Sequence, residues 1–357
     1  MKLKWLTMNA RAKGVKPWPK RIRVGVRVEA RPHNMDELFY PAVVVGRDIK
    51  TLPHTFQVVY EEDGCFERGL LLSSICQPSR RIVFSSPELV VEDGTIRLWD
   101  GERRTVRLLH FAKSLGVYQS GLLLAVDGLT ADFSQLPFEV NQAMLLGVYF
   151  QRRTTTVVAV LGLGGGAIPA CLAHSSEFAQ VHAVETLQGV VDCSLQYFYL
   201  PSKVQVHVQD AVEFLIECNS TNKLGLGCVI VDVANEDNQC PSPEVIDFFH
   251  AHCRNPRADG QVVYVINCIL DVSHACWIAA KHFQLPANGT TSCYRVGTTN
   301  LVMFLLPSGQ QPVSSSEAAR LIHTSFPNLS GTMQHIANSL LARADECWVT
   351  DLNALLA

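Results

Sequence analysis

From Leu136 onward, short apolar runs alternate with stretches of helical length. Strand-like runs cover 157–161, 181–185, 204–208, 227–232 and 261–267, and helix-like segments cover 137–150, 167–175, 187–199, 211–219 and 243–254. Strands buried on both faces read as continuous apolar runs, so this alternation predicts an α/β fold built on a doubly wound parallel sheet. Ser292–Val296 and Leu301–Leu306 are spaced as an antiparallel hairpin that closes it. Upstream the period drops to two. Val24, Val26 and Val28 alternate with polar residues, as do the runs around Ala42–Val45 and Phe56–Tyr60, and turn-rich Pro32-His33-Asn34 and Glu62-Asp63-Gly64 divide them. Short alternating strands about ten residues apart predict a small all-β barrel.

Between the two regions, Arg81–Phe84, Leu89–Val91 and Thr95–Trp99 are strand-like, with turns at Glu92-Asp93-Gly94 and Asp100-Gly101-Glu102. Val117–Ser120 and Leu122–Val126 follow. The organisation predicted is a basic tail (1–20), a barrel (21–78), a β-hairpin extension (79–135), the α/β domain (136–310) and a C-terminal helical segment (311–357). A Pro/Ser-rich linker, Gly309–Ser316, introduces the last of these.

Composition narrows the function classes. The net charge of −3 with 18% charged residues gives no global attraction to nucleic acid or membrane. Nine basic residues from Lys2 to Arg27 precede the first acid, Glu29. They read as a solvated tail, the alternative being a phosphate-contacting arm. Twelve cysteines contain no CxxC, and Cys171, Cys228 and Cys268 sit in apolar runs as small hydrophobes. No metal site is expected, and a reducing, cytoplasmic setting fits this usage. No apolar run reaches the roughly 18 residues of a membrane span.

The chemistry concentrates in Val157–Glu185, VVAVLGLGGGAIPACLAHSSEFAQVHAVE. A β-branched run meets Gly162, Gly164, Gly165 and Gly166, a helical stretch follows, and a second run ends at Glu185. Glycines in such a turn let backbone approach a ligand, and the acid suits ribose hydroxyls, so an adenosine-bearing cofactor is expected. Gly162-x-Gly164-x-x-Ala167 also satisfies the dinucleotide fingerprint. Acids end the next two strands of the pattern, Asp210 after the third and Asp232 after the fourth. Asp210 is also placed to cap the helix that follows, a role compatible with ligand contact.

Residues 80–306 resemble the spermidine-synthase-like branch of the class I, seven-strand S-adenosylmethionine-dependent methyltransferases. The matching segments are LGLGGGAIP (Leu161–Pro169), AVE (Ala183–Glu185), Tyr197-Phe198, QDAVEFL (Gln209–Leu215) and VDVANEDNQCPSPEVI (Val231–Ile246). The nearest likeness is to the C-terminal domain of the methyltransferase that modifies lysine and the N-terminal amine of eukaryotic elongation factor 1-alpha. The resemblance implies S-adenosylmethionine rather than NAD as cofactor. By position, Gly162, Leu163, Gly164 and Gly165 would face its methionine and ribose, Glu185 with Thr186 the ribose, and Asp210 with Ala211 the adenine. Asp232, Asn235 and Asn267 would orient an acceptor amine. Asn235 reads equally as a turn residue.

The departures exclude aminopropyl transfer. Val140-Asn141-Gln142 stands where polyamine synthases carry a Tyr/His-Glu sequence, and Ala234 where they carry a second acid. A polycation would lose charge-assisted contacts worth about 1.5–3 kcal/mol each. The function implied is methylation of a lysine or N-terminal α-amine of a protein, for instance a translation elongation factor, with a homodimer compatible. The alternative is a catalytically weak scaffold.

RVEAR (Arg27–Arg31), YPAVV (Tyr40–Val44) and FQVVYEEDGCFERG (Phe56–Gly69) resemble the Tudor-like, SH3-type barrel. That resemblance implies a cage for a methylated side chain from Tyr40, Phe56, Tyr60 and Phe66, using cation–π attraction. The competing reading packs these rings in the barrel's own core.

Overall fold

The computed structural model describes residues 27–30, 40–48, 55–60, 66–71, 75–76, 81–98, 102–113, 118–128, 130–150, 156–175, 178–221, 224–234, 241–252, 262–269, 290–296, 300–306, 338 and 348–349. The chain divides into two compact units, residues 1–120 with 124–129, and residues 121–123 with 130–357.

The first unit contains a five-stranded antiparallel sheet of β1 (Arg27–Ala30), β2 (Tyr40–Asp48), β3 (Thr55–Tyr60), β4 (Phe66–Leu71) and β5 (Ile75–Cys76). Its order is β4-β3-β2-β1-β5. Ala30, Ala42, Val44, Val58 and Leu70 are fully buried, as the period-two pattern requires. Tyr40, Phe56, Tyr60 and Phe66 lie on these strands, but their rings fall outside the described residues.

A second sheet follows, β6 (Arg81–Ser85), β7 (Leu89–Arg97), β8 (Arg103–Phe111) and β9 (Tyr118–Leu123), in chain order. The turn expected at Glu92-Asp93-Gly94 is not there. β7 runs straight through it because Asp93 stands opposite Arg107 on β8, and the guanidinium grips both carboxylate oxygens at 2.7 and 3.1 Å. Asp100 and Gly101 of the other expected turn lie outside the described residues; beside them the Leu98 N–H donates to the Glu102 carbonyl at 2.8 Å.

The second unit is built on an eight-stranded sheet: β10 (Thr156–Leu161), β11 (Phe178–Glu185), β12 (Val204–Val208), β13 (Leu226–Val231), β14 (Val263–Ile269), β15 (Thr290–Val296), β16 (Asn300–Leu306) and β17 (Trp348–Val349). The spatial order is β12-β11-β10-β13-β14-β16-β15-β17. The first five are parallel, and β16, β15 and β17 extend the sheet antiparallel. All seven strands expected from 157 onward are present, within three residues of their predicted bounds. The short β17 falls in the segment expected to be helical, where it pairs with β15.

Helices cover both faces. α1 (Glu139–Leu146), α2 (Ala167–His174) and α3 (Gln188–Tyr197) pack against Val158, Val160, Val181 and Ala183. α4 (Ala211–Thr221) and α5 (Pro243–His252) pack against Ala159, Leu161, Val184 and Val229. Alternate residues of β10 thus serve opposite cores, each buried aliphatic side chain contributing about 1.5–3 kcal/mol. α1 continues as one 3₁₀ turn, Gly147–Phe150, and is pinned to the hairpin by a buried bond: the Tyr294 hydroxyl donates to Glu139 Oε1 at 3.1 Å. Gln142 on the same helix donates to the Leu136 carbonyl at 2.7 Å.

Among the described residues, no helix is long and apolar enough to cross a membrane. Cys171, Cys193, Cys228, Cys268 and Cys293 are buried, as the apolar context of several predicted.

Candidate functional site

Parallel strands point all their carboxyl ends to one edge, and the strand order reverses between β10 and β13, which opens a crevice there. Backbone bonds beyond the ladder tie these ends together. The Gly162 N–H reaches the Val184 carbonyl at 2.9 Å, Gln209 reaches Glu185 at 3.1 Å, and Asp232 reaches Leu161 at 2.8 Å. The edge is therefore a rigid frame for whatever its side chains hold.

The glycine turn leaves β10 with Gly162 at φ +88°. A Cβ at this position would collide with the Asp232 carbonyl, so both the backbone angle and the space demand glycine. Gly166, at φ +76°, caps α2, and there a Cβ would lie 2.7 Å from Leu200 Cδ1. The sequence reading did not place Gly166 in the site, although its role in seating α2 was legible in the run of four glycines. Leu163 and Gly165 are buried, and Gly164 is half-buried at φ +51°. Behind the turn, burial pushes the Cys171 thiol on α2 up to about 12, which leaves it an inert packing group.

Glu185 ends β11 half-buried. Its Oε2 accepts from the Leu163 N–H at 3.2 Å, and its Oε1 accepts from the Leu187 N–H at 3.0 Å and the Thr186 hydroxyl at 3.4 Å. One carboxylate thus holds both the glycine turn and the start of α3. Asp210 is exposed and caps α4, Oδ1 accepting from the N–H groups of Val212 at 2.8 Å and Glu213 at 3.1 Å. Its other oxygen carries none of the capping bonds. Ala211, beside it, is buried.

Asp232 lies half-buried just past β13, where the Asn267 amide donates to its Oδ1 at 2.8 Å. Asn267 is only 2% exposed on β14, so it acts on the carboxylate rather than reaching out of the crevice. Ala234 is exposed, and Asn235 lies outside the described residues. The structure thus brings together Gly162, Leu163, Glu185, Asp232 and Asn267 through direct contacts, with Asp210 and Ala211 one strand further on.

Two apolar positions escaped the sequence reading. Leu187 and Val208 are each 48% exposed, the first two residues beyond Glu185 and the second two before Asp210. Apolar surface left open at the end of two neighbouring strands suits a flat aromatic ring. The available signal was an apolar residue two positions from the acid at each of these strand ends. Among the described residues, no cluster of three or more His, Cys, Asp or Glu could hold a metal ion.

No family model and no curated protein matches the chain. Among solved structures, human methyltransferase-like protein 13 in complex with SAH overlaps 56% of this chain and 92% of its own, at 17% identity and a TM-score of 0.43. A probable spermidine synthase from Corynebacterium glutamicum overlaps 73% and 93%, at 17% identity and a TM-score of 0.48. The spermidine synthase of Thermotoga maritima overlaps 82% and 93%, at 11% identity and a TM-score of 0.48.

Proposed function

We propose that this chain is an S-adenosylmethionine-dependent methyltransferase acting on a lysine or N-terminal amine of a protein. The observation that carries this reading is the carboxyl edge itself. A left-handed Gly162 lies against the Asp232 carbonyl at the point where strand order reverses, with Glu185 and Asp210 at the next two strand ends. The order β12-β11-β10-β13-β14-β16-β15 agrees with the antiparallel closure that the spacing of Ser292–Val296 and Leu301–Leu306 predicted.

The residues present fit such a cofactor. A turn of glycines with the Leu163 side chain buried admits the methionine end, and Glu185 accepts from ribose hydroxyls while keeping its bond to the Leu163 N–H. Leu187 and Val208 offer apolar surface to the adenine, and the oxygen of Asp210 not used in capping is an acceptor for its amino group. When bound, the cofactor supplies an activated methyl group on a sulfonium. Positioning an acceptor nitrogen in line with it then supplies much of the rate. Asp232, held by Asn267, orients that nitrogen, which must arrive as the neutral amine to offer its lone pair.

The module formed by β1–β5 extends the reading. Its order, β5-β1-β2-β3-β4, supports the Tudor-like assignment, with Tyr40, Phe56, Tyr60 and Phe66 as the rings for a methylated side chain. A cytoplasmic protein substrate such as a translation elongation factor fits this arrangement, and a homodimer is compatible with it. A second reading, a weak scaffold, is favoured by one observation: the exposed Ala234 offers no second acid near Asp232.

Calorimetry with S-adenosylmethionine, then transfer of labelled methyl to lysate proteins, separates the two. Binding with incorporation into protein is expected. Binding without incorporation gives the scaffold, and no binding defeats both.

A further inference from the structure

A histidine pair lies beneath the adenine side of the crevice. His182 on β11 and His207 on β12 stack with ring centroids 5.2 Å apart, and His182 Nδ1 is 2.9 Å from His207 Nε2. His182 is 1% exposed and belongs to none of the roles above. The ring of Phe214, in the first turns of α4, packs on both, with centroids 5.0 Å from His207 and 6.4 Å from His182. The pair therefore supports the helix whose N-cap is Asp210, and its strands end at Glu185 and at Val208, two residues before Asp210.

Proton placement follows from the partners. His182 Nε2 faces Gln180 Oε1 at 3.4 Å, so it carries a proton and leaves Nδ1 as acceptor. His207 Nε2–H then donates to His182 Nδ1. A proton arriving at His207 Nδ1 keeps this bond but places charge beneath Phe214. A further proton at His182 Nδ1 sets two N–H groups against each other and breaks it. Burial holds the pKa of both rings below the ordinary histidine value, and the charge of His207 lowers that of His182 further. Of the groups on α4, Glu217 draws a proton toward His207, while Cys218 stays a neutral thiol pushed up to about 11. β10 sets only Ala159 opposite His182.

We infer that His182 and His207 form an acid-sensitive latch that holds the start of α4, and with it the Asp210 end of the cofactor crevice. The inference rests on the cofactor reading above. A histidine depressed in the folded state makes stability rise with pH, so the support is complete above about 6.5 and is lost below it, as the pair takes up protons.

The test uses the full chain and S-adenosylhomocysteine as probe. Affinity in the wild type should fall about tenfold from pH 7.5 to 5.5, as the competent fraction shrinks. His207→Gln donates its amide to His182 and, once His182 Nδ1 is protonated, can turn its carbonyl oxygen to accept, so affinity should fall less than about threefold. Gln180→Glu faces His182 with a carboxylate and should move the loss to higher pH. Parallel curves for all three proteins overturn the latch. Thermal midpoints over the same pH range give an arm independent of the probe. If no probe binds at pH 7.5 the cofactor reading fails, and equal midpoint shifts in wild type and His207→Gln still overturn the latch.

Discussion

Asn267 on β14 donates its amide to the carboxylate of Asp232 at 2.8 Å, joining two strand ends that are 35 residues apart in sequence. The bond fixes the carboxylate's rotamer and leaves the amide buried behind it. Asn267→Ala should therefore lower kcat for methyl transfer by about tenfold, a charge-assisted bond being worth about 1.5–3 kcal/mol. S-adenosylhomocysteine affinity should stay within about threefold of wild type, and steady-state kinetics beside calorimetry reads this split.

Gly162 tolerates no side chain, since both its φ and the Asp232 carbonyl oppose one. Gly162→Ala should cost about 1–3 kcal/mol of stability, the range for a strained left-handed residue. Denaturant titration measures it, and calorimetry should show cofactor binding lost in the protein that still folds.

Glu185 holds the glycine turn and the start of α3 with its two oxygens, and the proposed function asks the same two oxygens to accept from the ribose. Glu185→Ala should abolish detectable cofactor binding. Glu185→Gln keeps an acceptor for one N–H, so its midpoint should lie between those of Glu185→Ala and wild type. Wild-type affinity in Glu185→Ala would remove the ribose assignment.

The Tyr294–Glu139 bond is buried at both ends. Tyr294→Phe should destabilise by about 1–3 kcal/mol, the cost of leaving a buried polar group without its partner. In a double-mutant cycle with Glu139→Ala the losses should fall short of additive, because each change removes the same interaction.

How much of this was legible in the sequence depended on how locally each feature was specified. The strands and helices from Thr156 to Leu306 were readable because β10, β11 and β13 are apolar on both faces and the glycine turn punctuates them. β8 went unread because Arg103, Arg104 and Arg107 mask its alternation, and their role emerges only when Arg107 finds Asp93 fourteen residues away. The same long-range pair converted an expected turn into strand. In the site, Glu185 and Asp210 were visible from their places after apolar runs. The inward turn of Asn267 was not, because a sequence shows a residue's register on a strand but not which neighbour its side chain will meet.

The β15–β16 hairpin sets the order in which the sheet can be assembled. Only three residues separate Val296 from Asn300, so this ribbon closes through local contacts, whereas each parallel neighbour of β10 must wait for a crossover to be threaded. Hairpins form in microseconds, and a preformed ribbon can dock on β14 as one piece. The flank farthest from the glycine turn is then the kinetically cheap part of the domain. The crevice, framed by β10, β11 and β13, is where the slow search lies.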